Sequence, residues 1–222
     1  AFAVEQGLDA ILLPANNGEL WVAAIEKKKK KDSFNKNSST SIEIDTAIIF
    51  SIDSSGVGER VCIDLIERLE IGEGMVIGSN ASLLALVHGE TIESHFVPTR
   101  PFRVNAGSIH SYVLMSDNST KYLSELVAGD EVAVISSSGN LRKCIIGRLK
   151  IERRPFRINL SKTKNEDFGQ IILQQAETVR LIDKHGKALS VTDLKINDEI
   201  MIRHQNQMRH IGNALEGEMN EK

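Results

Sequence analysis

From Ser41 onward the sequence never holds a helical period for long. It breaks into short alternating or β-branched runs: "SIEIDTAIIFSID", "ERVCIDLI", "GMVIGSN", "SLLALVHGETI", "FRVNAG", "HSYVLMS", "DEVAVISS", "RKCIIGRLKIE", "FRINLS", "GQIILQQAETVRLIDKHG", "DEIMIRHQ" and "MRHIGNALEGEM". Turn signals such as "SDNS", "SSGN" and "KHGK" separate them. Runs of this length and period, punctuated this way, predict antiparallel strands joined by hairpins.

The first forty residues read differently. "FAVEQGLDAILLPA" looks like a helix end, a stop at Gly7 and a short buried strand, and "GELWVAAIEKKKK" reads as a helix from Glu19 to about Lys28. Five lysines, Lys27 to Lys31, then lead into a Ser/Asn/Thr-rich stretch with the composition of a solvated linker. The expected fold class is therefore α+β. A short αβ remnant (1–26) and a polar linker (27–41) precede a mostly antiparallel β domain (42–222) built of duplicated barrel-like units. The opening carries no Met and no basic region, and Glu5 and Asp9 argue against a signal peptide, so a trimmed chain is the expectation.

The β region repeats itself. "YLSELVAGDEVAVIS" (Tyr122 to Ser136) matches "LSVTDLKINDEIMIR" (Leu189 to Arg203), and "LIERLEIGEGMVIGS" (Leu65 to Ser79) is a weaker copy. Gly129, Asn197 and Gly72 suit a left-handed turn before the following strand. The acidic residues beside them belong to that turn rather than to acid catalysis. A second echo, "RPFRVN" at Arg100 and "RPFRIN" at Arg154, has a spacing of 54 (154 − 100) against 68 (197 − 129) for the longer repeat. An insertion at the polar tip "LSKTKNEDFGQ" accounts for the difference.

Several functions are disfavoured. A formal net charge of −3 leaves no electrostatic footprint for nucleic acid, and the lysine run has no aromatic or arginine stripe beside it. No apolar run is long enough to span a bilayer as a helix. Cys62 and Cys144 make neither a metal spacing nor a disulfide framework, so a reducing intracellular setting is expected. The histidines share no metal-ligand pattern, and no metal is expected. "SGVGERV" lies between strands rather than before a helix, which makes Gly56 and Gly58 a weak dinucleotide signal.

Two clusters hold the chemistry. "LVHGETIESHFVPTRPFRVNAGSIH" gathers His88, Glu90, Arg100, Arg103, Asn105 and His110. "KIERRPFRIN" with "QQAET" gathers Lys150, Glu152, Arg153, Arg154, Arg157 and Glu177. Histidine moves protons near neutral pH, and arginine offers a planar fork to a carboxylate or phosphate. Such residues on alternating strand positions also form ordinary cross-strand pairs.

The ordered blocks "VGERVCIDLIERLEIGEGMVIGS", "ALVHGETIESHFVPTRPFRVNAGSIHSYV", "YLSELVAGDEVAV", "GRLKIERRPFRI", "LQQAETVRL" and "RHIG" closely resemble the C-terminal half of the archaeal-type 3-dehydroquinate synthase, dehydroquinate synthase II. The resemblance covers about Ile44 to Lys222, and residues 1–26 look like the last helix–strand step of that family's αβ region. It implies NAD-dependent oxidative deamination of an amino-dideoxy heptulosonate and its closure to 3-dehydroquinate, in the shikimate route to aromatic amino acids. That reaction requires a cation for the substrate carboxylate, an acid/base group and a nicotinamide pocket.

On residue chemistry, His88, Glu90 and His110 are the candidates for proton transfer. Arg100, Arg103, Lys150, Arg153 and Glu177 are the candidates for binding substrate, with Asn105 orienting it. NAD is the expected cofactor, with Gly56 and Gly58 its only candidates, and an amino sugar acid is the expected partner. Nucleic acid and membrane are not expected partners, a homo-oligomer is left open, and cytoplasm and plastid are not distinguished. The chain departs from the family pattern in "SSGVGERVCID" for "PVGMGDRVCVD", in Gly89 for a serine and in Gln175 for an asparagine. Such changes favour an alternative, a β-barrel binding or regulatory module that has lost catalysis.

Overall fold

The computed structural model describes residues 14, 17–23, 40–94, 97–205, 208–210 and 213–215. Two compact units divide the chain, Ala1–Thr40 and Ser41–Lys222. In the first, residues 18–23 form a helix, α1, where the side-chain oxygen of Asn17 accepts from the Leu20 amide as an N-cap does. The rest of the expected helix to Lys28, the 1–26 strand step and nearly all of the 27–41 linker lie outside the described residues.

The second unit is mostly antiparallel β. Its strands, with β1 at the boundary, are β1 (Thr40–Ser41), β2 (Asp45–Leu65), β3 (Glu73–Asn80), β4 (Leu83–Glu90), β5 (Arg100–Ser108), β6 (Tyr112–Leu114), β7 (Thr120–Tyr122), β8 (Glu131–Ser136), β9 (Asn140–Lys162), β10 (Phe168–Gln174), β11 (Arg180–Ile182), β12 (Ala188–Ser190), β13 (Glu199–His204), β14 (Met208–His210) and β15 (Asn213–Leu215). Thirteen of them join in one sheet, and β14–β15 form a separate hairpin.

The 21-residue β2 and the 23-residue β9 pair along nearly their whole lengths and form the axis of the sheet. The sequence suggests a break in each, and the two meet at one bulge on β2. The β2–β9 register shifts between Ser54 and Val57, around Gly56 at φ +74°. Pro155 sits opposite Val57 at this irregularity, where the lost ladder donor costs least.

Burial explains the apolar runs. All eight residues of β4 are buried, because Leu83, Ala85 and Val87 face one apolar core while Leu84 and Leu86 face a second. A strand covered on both faces reads as a continuous apolar run rather than an alternating one. In β2, Val61, Ile63 and Leu65 join the larger core, whereas Arg60, Cys62 and Asp64 take the opposite face.

The longer repeat is visible in hydrogen bonds. Several backbone bonds in the 109–136 region recur 68 residues later (183 − 115). The Met115 amide donates to Ser119 and the Asp183 amide to Lys187. Likewise, Ser116 donates to Glu131 and Lys184 to Glu199, and Leu123 donates to Ser111 and Val191 to Val179. The echo is thus a shared pattern of turn hydrogen bonds within one sheet.

The predicted left-handed turns are present at Gly72 (φ +88°), Gly129 (+97°) and Asn197 (+76°). In all three a carboxylate caps the turn. Glu73, Asp130 and Asp198 accept from the amides of Glu70, Val127 and Lys195 at 2.8, 3.0 and 2.7 Å. These acids are turn chemistry, as their sequence setting indicates.

Candidate functional site

The alternation of "ERVCID" sends Arg60, Cys62 and Asp64 to the face of β2 away from the main core. β5 and β9 flank β2 on either side, and residues opposite one another in an antiparallel ladder share a face. Three rows result. Arg103, Asp64 and Arg148 form the first, Asn105, Cys62 and Lys150 the second, and Ser108, Arg60 and Glu152 the third.

In the first row Arg103 grips Asp64 with both arms of its fork, Nε to Oδ1 at 2.6 Å and Nη2 to Oδ2 at 2.8 Å. Arg148 approaches from the other strand and donates to Oδ2 through Nε at 2.8 Å. Burial alone would raise the Asp64 carboxyl, but the two guanidinium groups outweigh it and hold it below the usual carboxylate range. Arg103 is stabilised as a cation, first through its hydrogen bond to Asp64.

In the second row Arg60 reaches back to the Cys62 sulfur at 2.5 Å, and burial pushes the Cys62 thiol up to about 11. Asn105 donates to the Gln174 side chain at 2.9 Å, and its own side-chain oxygen is buried without a partner. In the third row Glu152 gathers Arg60 (2.5 Å), Lys150 (3.0 Å) and Arg154 (3.0 Å). Beside the ladder, Glu90 of β4 holds Arg100 at 3.2 Å, and its charge acts on both Cys62 and Arg103.

The exposures of the side chains sort the roles. Asp64 and Glu90 keep only 6% and 7% of their side-chain surface, while Arg148 and Lys150 keep 65% and 47%. Buried Asp64 and partly exposed Glu152 therefore anchor Arg148 and Lys150, whose side chains lie largely open to solvent. Such a surface can hold an anionic, hydroxylated small molecule by forked hydrogen bonds.

The structure brings together Glu90, Arg100, Arg103, Asn105 and Lys150 from the expected set. Other expected residues lie elsewhere. His88 is buried, its Nε2 accepts from the Gly72 amide at 3.0 Å, and the charge acting on it is that of Arg180. Burial lowers its pKa and keeps the ring neutral. His110 is exposed on the turn after β5, 3.0 Å from the Ser79 hydroxyl. Arg153 pairs opposite Glu59, one position out of phase with the ladder, and is exposed. Glu177 is exposed between β10 and β11, where its backbone carbonyl accepts from Ser190.

Gly56 and Gly58 do not fit a dinucleotide cradle of the glycine-loop kind. They sit inside β2 at the bulge, with no helix N-terminus following, and a Cβ on Gly58 would meet the Phe156 ring at 2.9 Å. Sequence reasoning passed over Arg60, Cys62, Asp64 and Arg148; the period-2 alternation of "ERVCID" and "GRLKIE" is the signal that finds them. Among the described residues no cluster of three His, Cys, Asp or Glu is placed to hold a metal, and no helix is long and apolar enough to cross a membrane.

Fold and ladder together make an antiparallel β domain that displays anchored cations on one sheet face. The family described as the 3-dehydroquinate synthase II C-terminal domain matches residues 46–222, and the chain belongs to that family. It is 42% identical over 219 residues to the 3-dehydroquinate synthase of Methanosphaera stadtmanae and 44% identical over 219 residues to that of Methanocaldococcus jannaschii. Identity to the Methanococcus aeolicus protein of the same name is 40% over 222 residues. Each alignment covers 99% of this chain, which spans 59% of the length of these curated relatives.

Proposed function

We propose that this chain is the C-terminal domain of an enzyme that oxidatively deaminates an amino-dideoxy heptulosonate with NAD and closes the product to 3-dehydroquinate. The observation that carries the reading is the ladder, in which buried Asp64 and the Glu152 hub hold Arg103, Arg148 and Lys150 on one face, with the Glu90–Arg100 pair beside it. Membership in the 3-dehydroquinate synthase II family supports this reading. NAD would supply hydride acceptance. The part played by this chain is to bind the substrate and manage its protons.

The outward heads of Arg148 and Lys150 take the substrate carboxylate and hydroxyls, and Arg100 closes on them from β5. Glu90, the shielded carboxyl next to Arg100, moves the proton. His88, committed to Gly72, positions β3 against β4 instead. The 14 extra residues (68 − 54) fall after the second "RPFR" motif and fit the β9–β10 hairpin. The second motif supports the scaffold, since Arg157 binds the Val191 carbonyl at 2.7 Å rather than joining the ladder.

The test follows reduced nicotinamide and ammonium release with the amino-heptulosonate, using the protein at full length. Arg148→Ala with Lys150→Ala should raise KM at least tenfold, and Glu90→Gln should lower kcat with KM little changed. No turnover by the full-length protein would favour the regulatory or binding module. Full turnover by the Glu90→Gln variant would remove the proton-transfer role.

A further inference from the structure

A cleft of about 270 Å³ lies between β2, β3 and the β9–β10 hairpin, and none of its lining residues belongs to the ladder. Phe50 and Phe168 form one side, with ring centroids 5.7 Å apart at 73°. The edge-on contact leaves aromatic surface open, and Phe168 is 58% exposed. Its position is fixed nonetheless. Phe168 pairs opposite Lys162 in the β9–β10 ladder, and the following Gly169 packs directly on Leu83, with no room for a side chain. A large aromatic ring displayed on a paired strand beside a concavity is an unusual use of apolar surface.

The polar side of the cleft is uncharged. Asn80 accepts from the amide and hydroxyl of Ser82 at 2.8 and 2.6 Å, which orients its amide and leaves the NH2 group as the donor. Gln170 adds a second amide. The Ser79 hydroxyl is held by His110 Nε2 at 3.0 Å. No lining residue carries a formal charge, so the cleft has nothing to neutralise a phosphate or a sugar acid. Its size falls just below the ~300–1,000 Å³ of ordinary ligand pockets, enough for a ring but not for a whole dinucleotide.

We infer that this cleft binds a planar nitrogen heterocycle with an amide or amine edge, stacked on Phe168 and hydrogen-bonded by Asn80 and Gln170. Resting on the reading of the protein as an NAD enzyme, that heterocycle is the adenine or the nicotinamide end of the dinucleotide. The phosphates would remain outside the cleft. This gives the cofactor a contact that Gly56 and Gly58 do not provide.

The experiment titrates 5′-AMP and nicotinamide mononucleotide separately into the 222-residue chain, by calorimetry and by saturation-transfer NMR. Stacking on one aromatic ring is worth roughly 1–3 kcal/mol per base, about 5- to 150-fold in affinity. Phe168→Ala should therefore weaken one of the two ligands at least fivefold, and Gln170→Ala should weaken the same one. Loss of 5′-AMP assigns the adenine end, and loss of the mononucleotide assigns the nicotinamide end. Binding of neither ligand, or equal binding to wild type and Phe168→Ala, overturns the inference.

The two readings fail separately. NAD turnover by the full-length protein with an unchanged KM for NAD in Phe168→Ala keeps the enzyme and removes the cleft. Heterocycle binding that Phe168→Ala abolishes, without turnover by the full-length protein, keeps the cleft and removes the enzyme.

Discussion

Asp64→Asn probes the centre of the ladder. The substitution keeps shape and removes one charge between two guanidinium groups. Arg103, whose side chain is 10% exposed, would be left as a buried cation without its counter-ion, and breaking such a pair costs about 3–5 kcal/mol. Arg148 is 65% exposed, so its share of the loss is about 0–1 kcal/mol. Asp64→Asn should therefore lower stability by about 3 kcal/mol and Arg148→Gln by less than about 1 kcal/mol. For a domain of this size the first is a fall in Tm of about 6–12 °C.

Urea denaturation monitored by circular dichroism measures both, with the m-value as a check on two-state behaviour. Adding Arg103→Met to Asp64→Asn should restore much of the loss, because removing a buried pair together is far cheaper than removing half of it. An Asp64→Asn cost below about 0.5 kcal/mol, or an equal cost for Arg148→Gln, would refute the assignment of buried and exposed arms. The pH dependence follows the same logic. A carboxyl whose folded pKa lies below its unfolded value stabilises the fold above the unfolded value and loses that effect as pH falls through the folded one. The wild type should thus lose more stability than Asp64→Asn as pH drops below about 4.

Other outcomes follow from single contacts. Gly74→Ala places a Cβ into the Val87 carbonyl across the β3–β4 ladder, and should cost about 3 kcal/mol or more in the same denaturation assay. Asn197 is left-handed, so Asn197→Ala should be about 1 kcal/mol less stable than Asn197→Gly; equality would show that the turn relaxes. Burial keeps His88 neutral and lowers its folded pKa, so its contribution is full above the unfolded value near 6.5 and falls as pH drops below it. Stability measured at pH 7.5 and 5.5 should therefore differ more in wild type than in His88→Gln.

Much of the fold is legible in the sequence. Period-2 alternation marks most of the strands, and Gly72, Gly129 and Asn197 mark the turns that precede three of them. The 68-residue repeat follows from matching words and reappears as matching hydrogen bonds. Strand ends are harder to read. Both "SSGVGER" and "ERRPF" carry breakers, yet the chain runs straight through, because the bulge on β2 and the proline on β9 lie opposite one another. Each break is tolerated through its partner strand, and a partner cannot be read from one segment.

The site divides the same way. The sequence by itself singled out Glu90, Arg100, Arg103, Asn105 and Lys150 as polar candidates in a β domain and carried the resemblance to dehydroquinate synthase II. Local composition, alternation and motif words suffice for that. Only the tertiary structure decided which of these meet. Register across β5, β2 and β9 sets Arg103 and Arg148 on one Asp64, and it brings Arg60 and Cys62 into the same face. It also turns His88 inward to Gly72 and leaves His110 on an exposed turn beside Ser79. Neighbours in sequence become neighbours in a site only when the pleat and the pairing register agree, and register is a property of two strands at once.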